Sequence, residues 1–305
     1  MTSGRARNIS HITVLANPAA GHGNGRHAAT RAVTRFQQLG VDVNVIVGRD
    51  GDHALTLARD AVDRGTDALV VVGGDGVISI ALQVLAGTEV PLGIVPAGTG
   101  NDHAREFGLP TGDPEAAADI VAAGWTEAMD LGRIRSDDGT VRWFGTVMAS
   151  GFDSLVSDRT NRMSWPHGRM RYNLAILAEF FNLKPLPFRL RLDSGEEITQ
   201  DLTLVAVGNT RSYGGGMLIC PAADRTDGLL DITVVASGSR AKLIRFFPTV
   251  FRGTHVDLDQ VTTYRARSVT VESPGINAYA DGERVGRLPV EVDAVPNALH
   301  VLIPR

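Results

Sequence analysis

Gly73-Gly74-Asp75-Gly76 places three glycines around one carboxylate, directly after the apolar run at 69–72. Glycines adopt positive φ and let main-chain N–H groups approach phosphate oxygens. A helix pattern starting at Val77 would aim its partly positive N-terminus at the same point. A tight turn with Asp75 capping that helix accounts for the same residues. Two further loops repeat the arrangement. Asn17-Pro18-Ala19-Ala20-Gly21 continues through Gly25 into an Ala-rich helical stretch, and Pro96-Ala97-Gly98-Thr99-Gly100-Asn101-Asp102 opens another helix, with Thr99 and Asn101 as short polar contacts. One such loop is an ordinary turn; three at corresponding sheet ends point to phosphate binding, with Asp75 organising a nucleotide and the Mg2+ it carries.

The candidate proton acceptor lies far away, in Asp281-Gly282-Glu283. Asp-Gly between strands is a common hairpin turn, and such a turn also holds two carboxylates at a cleft edge. Phosphoryl transfer needs the attacking and leaving oxygens roughly in line, a cation against the phosphate charge, and a group to take the acceptor's proton. Asp224-Arg225-Thr226-Asp227-Gly228-Leu229-Leu230-Asp231 offers oxygen ligands of the kind hard cations prefer, and equally reads as a solvated loop. Other signatures fail on spacing. The first loop lacks the Lys-Ser/Thr pair of a P-loop and the glycine positions of a dinucleotide fingerprint, and the eight histidines are scattered without zinc-site spacing.

Taken in order, Asn-Pro-x-x-Gly at 17–21, Gly-Gly-Asp-Gly at 73–76 and Gly-Thr-x-Asn-Asp at 98–102 followed by Ala104-Arg105 resemble the diacylglycerol kinase catalytic-domain family, which includes sphingosine and ceramide kinases and bacterial lipid kinases. The resemblance spans nearly the whole chain. It implies an α/β nucleotide-binding lobe related to NAD kinases and phosphofructokinases, a mainly antiparallel β-sandwich lobe, and ATP between them. It carries the ATP site onto Asn17, Pro18, Ala19, Ala20, Gly21, Gly73, Gly74, Asp75, Gly76, Gly98, Thr99 and Asn101, and the general base onto Asp281 or Glu283. It further implies a structural Mg2+ on the Asp227 side chain and the carbonyls of Asp224 and Leu229, and a homodimer. Two departures stand out: Val77 where the family usually has Thr, and His103 where it often has Phe, read as a packing difference. The implied reaction moves the ATP γ-phosphate to the hydroxyl of diacylglycerol or a similar lipid. An NAD kinase and a catalytically silent nucleotide- or lipid-binding protein are the competing readings.

These residues need a scaffold. Up to Asp130, β-rich runs at 12–16, 41–47, 68–72 and 92–95 alternate with helical patterns at 52–64 and 77–86, which predicts a mostly parallel sheet with its ligand site at the strands' carboxyl ends. Alternating, glycine-punctuated runs follow at 142–148, 188–192, 202–207, 229–235 and 268–271 and predict antiparallel strands. The expected division is residues 1–130, 131–290 and a C-terminal 291–305 returning to the first lobe, with a hinge at 122–130. Helices are expected at 170–182 and at 240–251, the latter kinked at Pro248. The stretch 169–188 carries Leu174, Ile176, Leu177, Phe180, Phe181 and Leu183 between Arg169, Arg171 and Lys184; it reads as core or as an acyl-chain or membrane-facing patch. The Tyr213-Gly214-Gly215-Gly216-Met217 loop would border the cleft.

Composition sets the outer bounds. With 43% apolar and 21% charged residues and a net charge of −4, the 305-residue chain is globular and lacks the basic footprint of a nucleic-acid binder. Cys220 is the sole cysteine, which rules out an intramolecular disulfide and fits a reducing compartment. No apolar run approaches the roughly 18 residues of a spanning helix, and Arg5 and Arg7 lead into no secretory signal. The expectation is a cytoplasmic protein that meets lipid at the inner membrane face from the surface.

Overall fold

The structure, a computed structural model, describes residues 4–151, 185–236, 246 and 248–305. The helix expected at 170–182 and the basic and apolar residues of 169–184 lie outside the described residues, as does most of 240–251.

The first lobe comprises β1 (Arg5–Ala6), β2 (His11–Ala16), α1 (Asn24–Gln38), β3 (Asp42–Ile46), α2 (Gly51–Asp63), β4 (Ala68–Gly73), α3 (Asp75–Leu85), β5 (Leu92–Pro96), α4 (Asp102–Glu106) and α5 (Pro114–Ala123). Strands β3, β2, β4 and β5 are parallel in that spatial order. Because helices cover both faces, β4 is buried along its whole length, which is why its sequence reads as an unbroken apolar run. Phe36 of α1 and Val121 of α5 close one face, and Ala58 of α2 with Ile78 and Leu82 of α3 close the other. Arg31 and Arg35 of α1 pair with Glu115 and Asp119 of α5 across the surface. Asp50 caps α2 by accepting the His53 N–H at 2.8 Å, and Asp113 caps α5 ahead of Pro114.

The second lobe comprises β6 (Trp125–Ser136), β7 (Val141–Phe144), β8 (Val147–Gly151), β9 (Leu186–Leu192), β10 (Glu197–Gly208), β11 (Leu230–Ala236), β12 (Val261–Ala266), β13 (Ser268–Glu272), β14 (Asn277–Ala280), β15 (Glu283–Arg287) and β16 (Val290–Leu302). Pairings within it are antiparallel, around a core that includes Phe144, Phe188, Val205, Ile232 and Val269. Strand β16 crosses between lobes: it pairs antiparallel with β6 from Val290↔Ser136 to Leu302↔Thr126, and parallel with β5 at Val301↔Leu92.

Two sequence expectations change. Residues 122–130 are no hinge: α5 ends at Ala123, Gly124 reverses the chain at φ 70°, and β6 begins at Trp125. Only glycine fits there, since a Cβ would meet the Arg7 carbonyl oxygen at 2.1 Å. The run 142–148 divides into β7 and β8 because the N–H groups of Gly145 and Thr146 turn away from the ladder toward Asp281.

Candidate functional site

The carboxyl ends of β2, β4 and β5 bring the three glycine loops into direct backbone contact. Asn17 donates its N–H to the Val72 carbonyl at 3.0 Å, and Ala97 donates to the Gly73 carbonyl at 2.8 Å. A Cβ on Gly98 would lie 2.4 Å from Gly74 Cα, and one on Gly21 would lie 2.2 Å from the Ala97 carbonyl oxygen. These glycines are therefore demanded by loop-on-loop packing. Asn17, Ala19, Gly76 and Thr99 face solvent on this edge, Pro18, Gly21, Gly74, Asp75, Gly98 and Asn101 lie deeper, and Ala20 and Gly73 are buried.

Asn101 plays a different part from the expected contact. It sits in the left-handed region at φ 54° and folds its amide back onto Gly98, accepting that residue's N–H at 3.1 Å and donating to its carbonyl at 2.9 Å. Its side chain thereby holds the third loop shut. Val77 turns inward, 5% exposed, into the core beside α3, so the missing hydroxyl is a packing choice.

Asp75, at the start of α3, accepts the His103 backbone N–H at 3.3 Å, and its Oδ1 lies 3.1 Å from His103 Nδ1. Burial disfavours its charge, but the His103 ring and the N–H groups at the start of α4 outweigh burial and hold the carboxyl down at about 2. On the opposite side of the ring, His103 Nε2 lies 3.8 Å from Asp281 Oδ2. The sequence reading of His103 as a packing substitution missed this bridge; its signal was a titratable ring in a helix otherwise aimed at the second lobe.

Asp281 and Gly282 both have positive φ, 49° and 81°, and close a two-residue hairpin in which Ala280 pairs with Glu283. Within that turn the two carboxylates diverge. The Asp281 side chain is wholly buried; its Oδ2 accepts the Gly145 N–H at 2.8 Å, and its Oδ1 accepts the Thr146 N–H at 2.9 Å as well as the Thr146 hydroxyl. Glu283 instead reaches over the glycine loop at 73–76, with Oε1 3.5 Å from where a Gly76 side chain would begin. Partial desolvation there raises its carboxyl above the ordinary range, with Arg142 opposing.

Helix α4 carries further contacts between lobes. Asp102 accepts the N–H groups of Gly215 and Gly216 at 2.8 and 2.9 Å, which ties the triple-glycine loop to α4. Glu106 receives Arg211 and Arg225, and Arg225 also pairs with Glu127 at 3.0 Å and stacks on Phe107.

Of the donor set expected for a structural Mg2+, the Asp227 carboxylate is already engaged, while Asp224 and Leu229 would contribute carbonyl oxygens. Asp227 Oδ1 accepts the Leu229 N–H at 2.9 Å, its Oδ2 is paired with Arg265, and Asp224 accepts the Thr226 N–H and hydroxyl. Among the described residues no group of three His, Cys, Asp or Glu side chains converges as a metal set. The turn is held otherwise: Asp130 accepts the N–H groups of Gly228 at 2.7 Å and Asn297 at 2.8 Å.

Residues 11–134 match the family model described as "Diacylglycerol kinase catalytic domain", and residues 146–303 match "YegS C-terminal NAD kinase beta sandwich-like domain". The chain is 63% identical over 307 residues to a protein of Mycobacterium tuberculosis named "Diacylglycerol kinase", covering 100% of this chain and 99% of that protein. It is 30% identical to a "Probable lipid kinase YegS-like" of Stenotrophomonas maltophilia, covering 93% and 94% of the two chains. A crystal structure of a diacylglycerol kinase from Bacillus anthracis str. Sterne superposes with a TM-score of 0.79 over 98% of this chain and 99% of the other, at 21% identity, a likeness of fold.

Proposed function

The chain belongs to the diacylglycerol kinase catalytic-domain family and is a lipid kinase, and from that premise we propose that it transfers the γ-phosphate of Mg-ATP to the hydroxyl of diacylglycerol or a similar membrane lipid. With diacylglycerol the product is phosphatidic acid. The three glycine loops take the nucleotide phosphates on their N–H groups, helped by the N-terminus of α3. Mg2+ enters with ATP as part of the substrate. Glu283 takes the proton from the lipid hydroxyl, while Asp281 anchors the turn that carries it. The observation that supports this division is the divergence of the two side chains, one closed by donors from Gly145 and Thr146 and the other lying over Gly76. Desolvation, which raises the Glu283 carboxyl, suits it to accept a proton.

No helix among the described residues is long and apolar enough to cross a membrane, so the reading has the enzyme meet its lipid at the bilayer surface. The test is incubation with Mg-ATP and a panel of diacylglycerol, sphingosine, ceramide and NAD, with mass detection of products. Phosphatidic acid from diacylglycerol is the expected result. Transfer to NAD alone would overturn the lipid assignment, and no transfer to any acceptor would favour a silent binding protein.

A further inference from the structure

His103 links the two halves of the site. The ring is 2% exposed, and its two nitrogens face carboxylates from different lobes, Asp75 Oδ1 at 3.1 Å and Asp281 Oδ2 at 3.8 Å. The other hydrogen bonds of the Asp281 carboxylate are ones it accepts: the Gly145 N–H, the Thr146 N–H and the Thr146 hydroxyl. Asp75 likewise accepts backbone N–H groups at 102 and 103. A neutral imidazole has one proton for two such neighbours, and its other nitrogen would aim a lone pair at a buried carboxylate. A ring protonated on both nitrogens suits both.

Among the described residues, the charged groups facing the ring are Asp75 from α3, Asp281 from the β14–β15 turn and Asp102 from its own helix. The β7–β8 junction contributes only Gly145, packed so closely that a Cβ there would lie 2.5 Å from Nε2. Burial opposes the ring's charge, but Asp281 and Asp75 outweigh it and raise His103 above the usual imidazole range. Glu283 opens β15 directly after the Asp281-Gly282 turn, so an anchor on Asp281 fixes the strand start that carries Glu283.

We infer that His103 is a positioning residue for phosphoryl transfer: bridging Asp75 of the nucleotide loop to Asp281 of the second lobe, it sets Glu283 over Gly76. The inference rests on the lipid kinase reading above and extends it from the reacting groups to the tie that aligns them across the cleft.

The experiment compares kcat and KM for ATP in wild type, His103→Phe, His103→Asn and His103→Gln from about pH 5.5 to 9, the span of histidine titration, with circular dichroism to check folding. Phe fills the ring's volume without donors, while Asn and Gln each keep an amide donor, the Gln amide one methylene further out. His103→Phe should lower kcat at least about tenfold with a smaller change in KM, since misplacing a reacting group by an ångström costs on the order of a hundredfold. Gln should recover more kcat than Phe. Wild-type kcat should fall as pH rises through the raised His103 range, and that decline should be missing from His103→Phe. Equal kcat in wild type and His103→Phe with the same pH profile, or Phe outperforming Gln, would reduce His103 to packing. Long-range 1H–15N spectra of histidine-labelled wild type give a readout independent of turnover and of variant folding: both ring nitrogens of His103 should carry protons at pH 7, and a neutral ring overturns the inference. Failure of the wild type to phosphorylate any lipid would instead defeat the functional reading and leave the ring's protonation to be judged by these spectra.

Discussion

Asp281 and Glu283 lie two positions apart, and the different work proposed for them is measurable. Glu283→Gln should keep wild-type melting and ATP binding while kcat falls by at least about 10², the lower range for loss of a general base. Asp281→Asn should lower both kcat and stability, because an amide facing the Gly145 and Thr146 donors leaves buried groups unpaired at a cost of about 1–3 kcal/mol. The reverse pattern would exchange their roles. The low-pH side of the activity profile belongs to Glu283: its carboxyl is raised above 4.5 by desolvation, so kcat should fall as pH drops through that raised range, and Glu283→Gln should lose this limb. Asp75 works in the opposite sense. Its pKa is depressed from 3.8 to about 2, so its stabilisation is present above the unfolded value and fades as pH falls toward the folded one. Asp75→Asn should therefore cost about 2 kcal/mol at pH 7, with the gap to wild type closing in urea titrations run toward pH 2. A gap of unchanged size in acid would contradict the His103 partnership.

At the scale of elements, the glycine loops were legible because two signals coincide in the chain: an apolar run long enough for a buried strand, then glycines where the backbone turns into a helix. Such runs carry their own register, so β2, β4 and β5 fall within a residue of the expected positions. What the loops do to one another was not legible. Nothing local tells that Gly98 lies on Gly74, or that the Asn101 amide folds back on its own loop at positive φ. Strand β6 was missed for a related reason: both its faces are partly covered, so it shows neither strict alternation nor an unbroken apolar run. The close approach at Gly98 gives a direct test. In Gly98→Ala the new methyl group meets backbone at 2.4 Å, with no flexible side chain to yield. Overpacking of this kind costs about 1–3 kcal/mol, and because the strain falls on the phosphate loops, KM for ATP should rise at least tenfold, on the order of the same energy. An unchanged KM in steady-state kinetics would mean that these loops do not hold the nucleotide.

The molecule as a whole is tied by elements remote in sequence. Glu106 meets Arg225 across 119 positions, and no pattern within either segment announces that pair. The chain end reads from sequence as a segment returning to the first lobe, but its strand partners, β6 and β5, follow only from the assembled sheet. These ties bear on how the protein unfolds. Since β16 is bonded to both lobes, and Glu106, Asp102 and His103 on one short helix all reach the second lobe, the lobes should not melt separately. Scanning calorimetry should give one transition with equal calorimetric and van't Hoff enthalpies. Glu106→Gln removes the charge that receives Arg211 and Arg225, and the Glu106 side chain is only 6% exposed. Arg225 keeps Glu127 as a partner, so the loss should fall below the roughly 3–5 kcal/mol of a fully broken buried pair and shift the midpoint downward by several degrees without dividing the transition. Two separate transitions in the wild type would show that the lobes are independent and that β16 is a strap along their surface. A transition that divides only in Glu106→Gln would assign the coupling to α4, because the β16 pairing is untouched by that substitution.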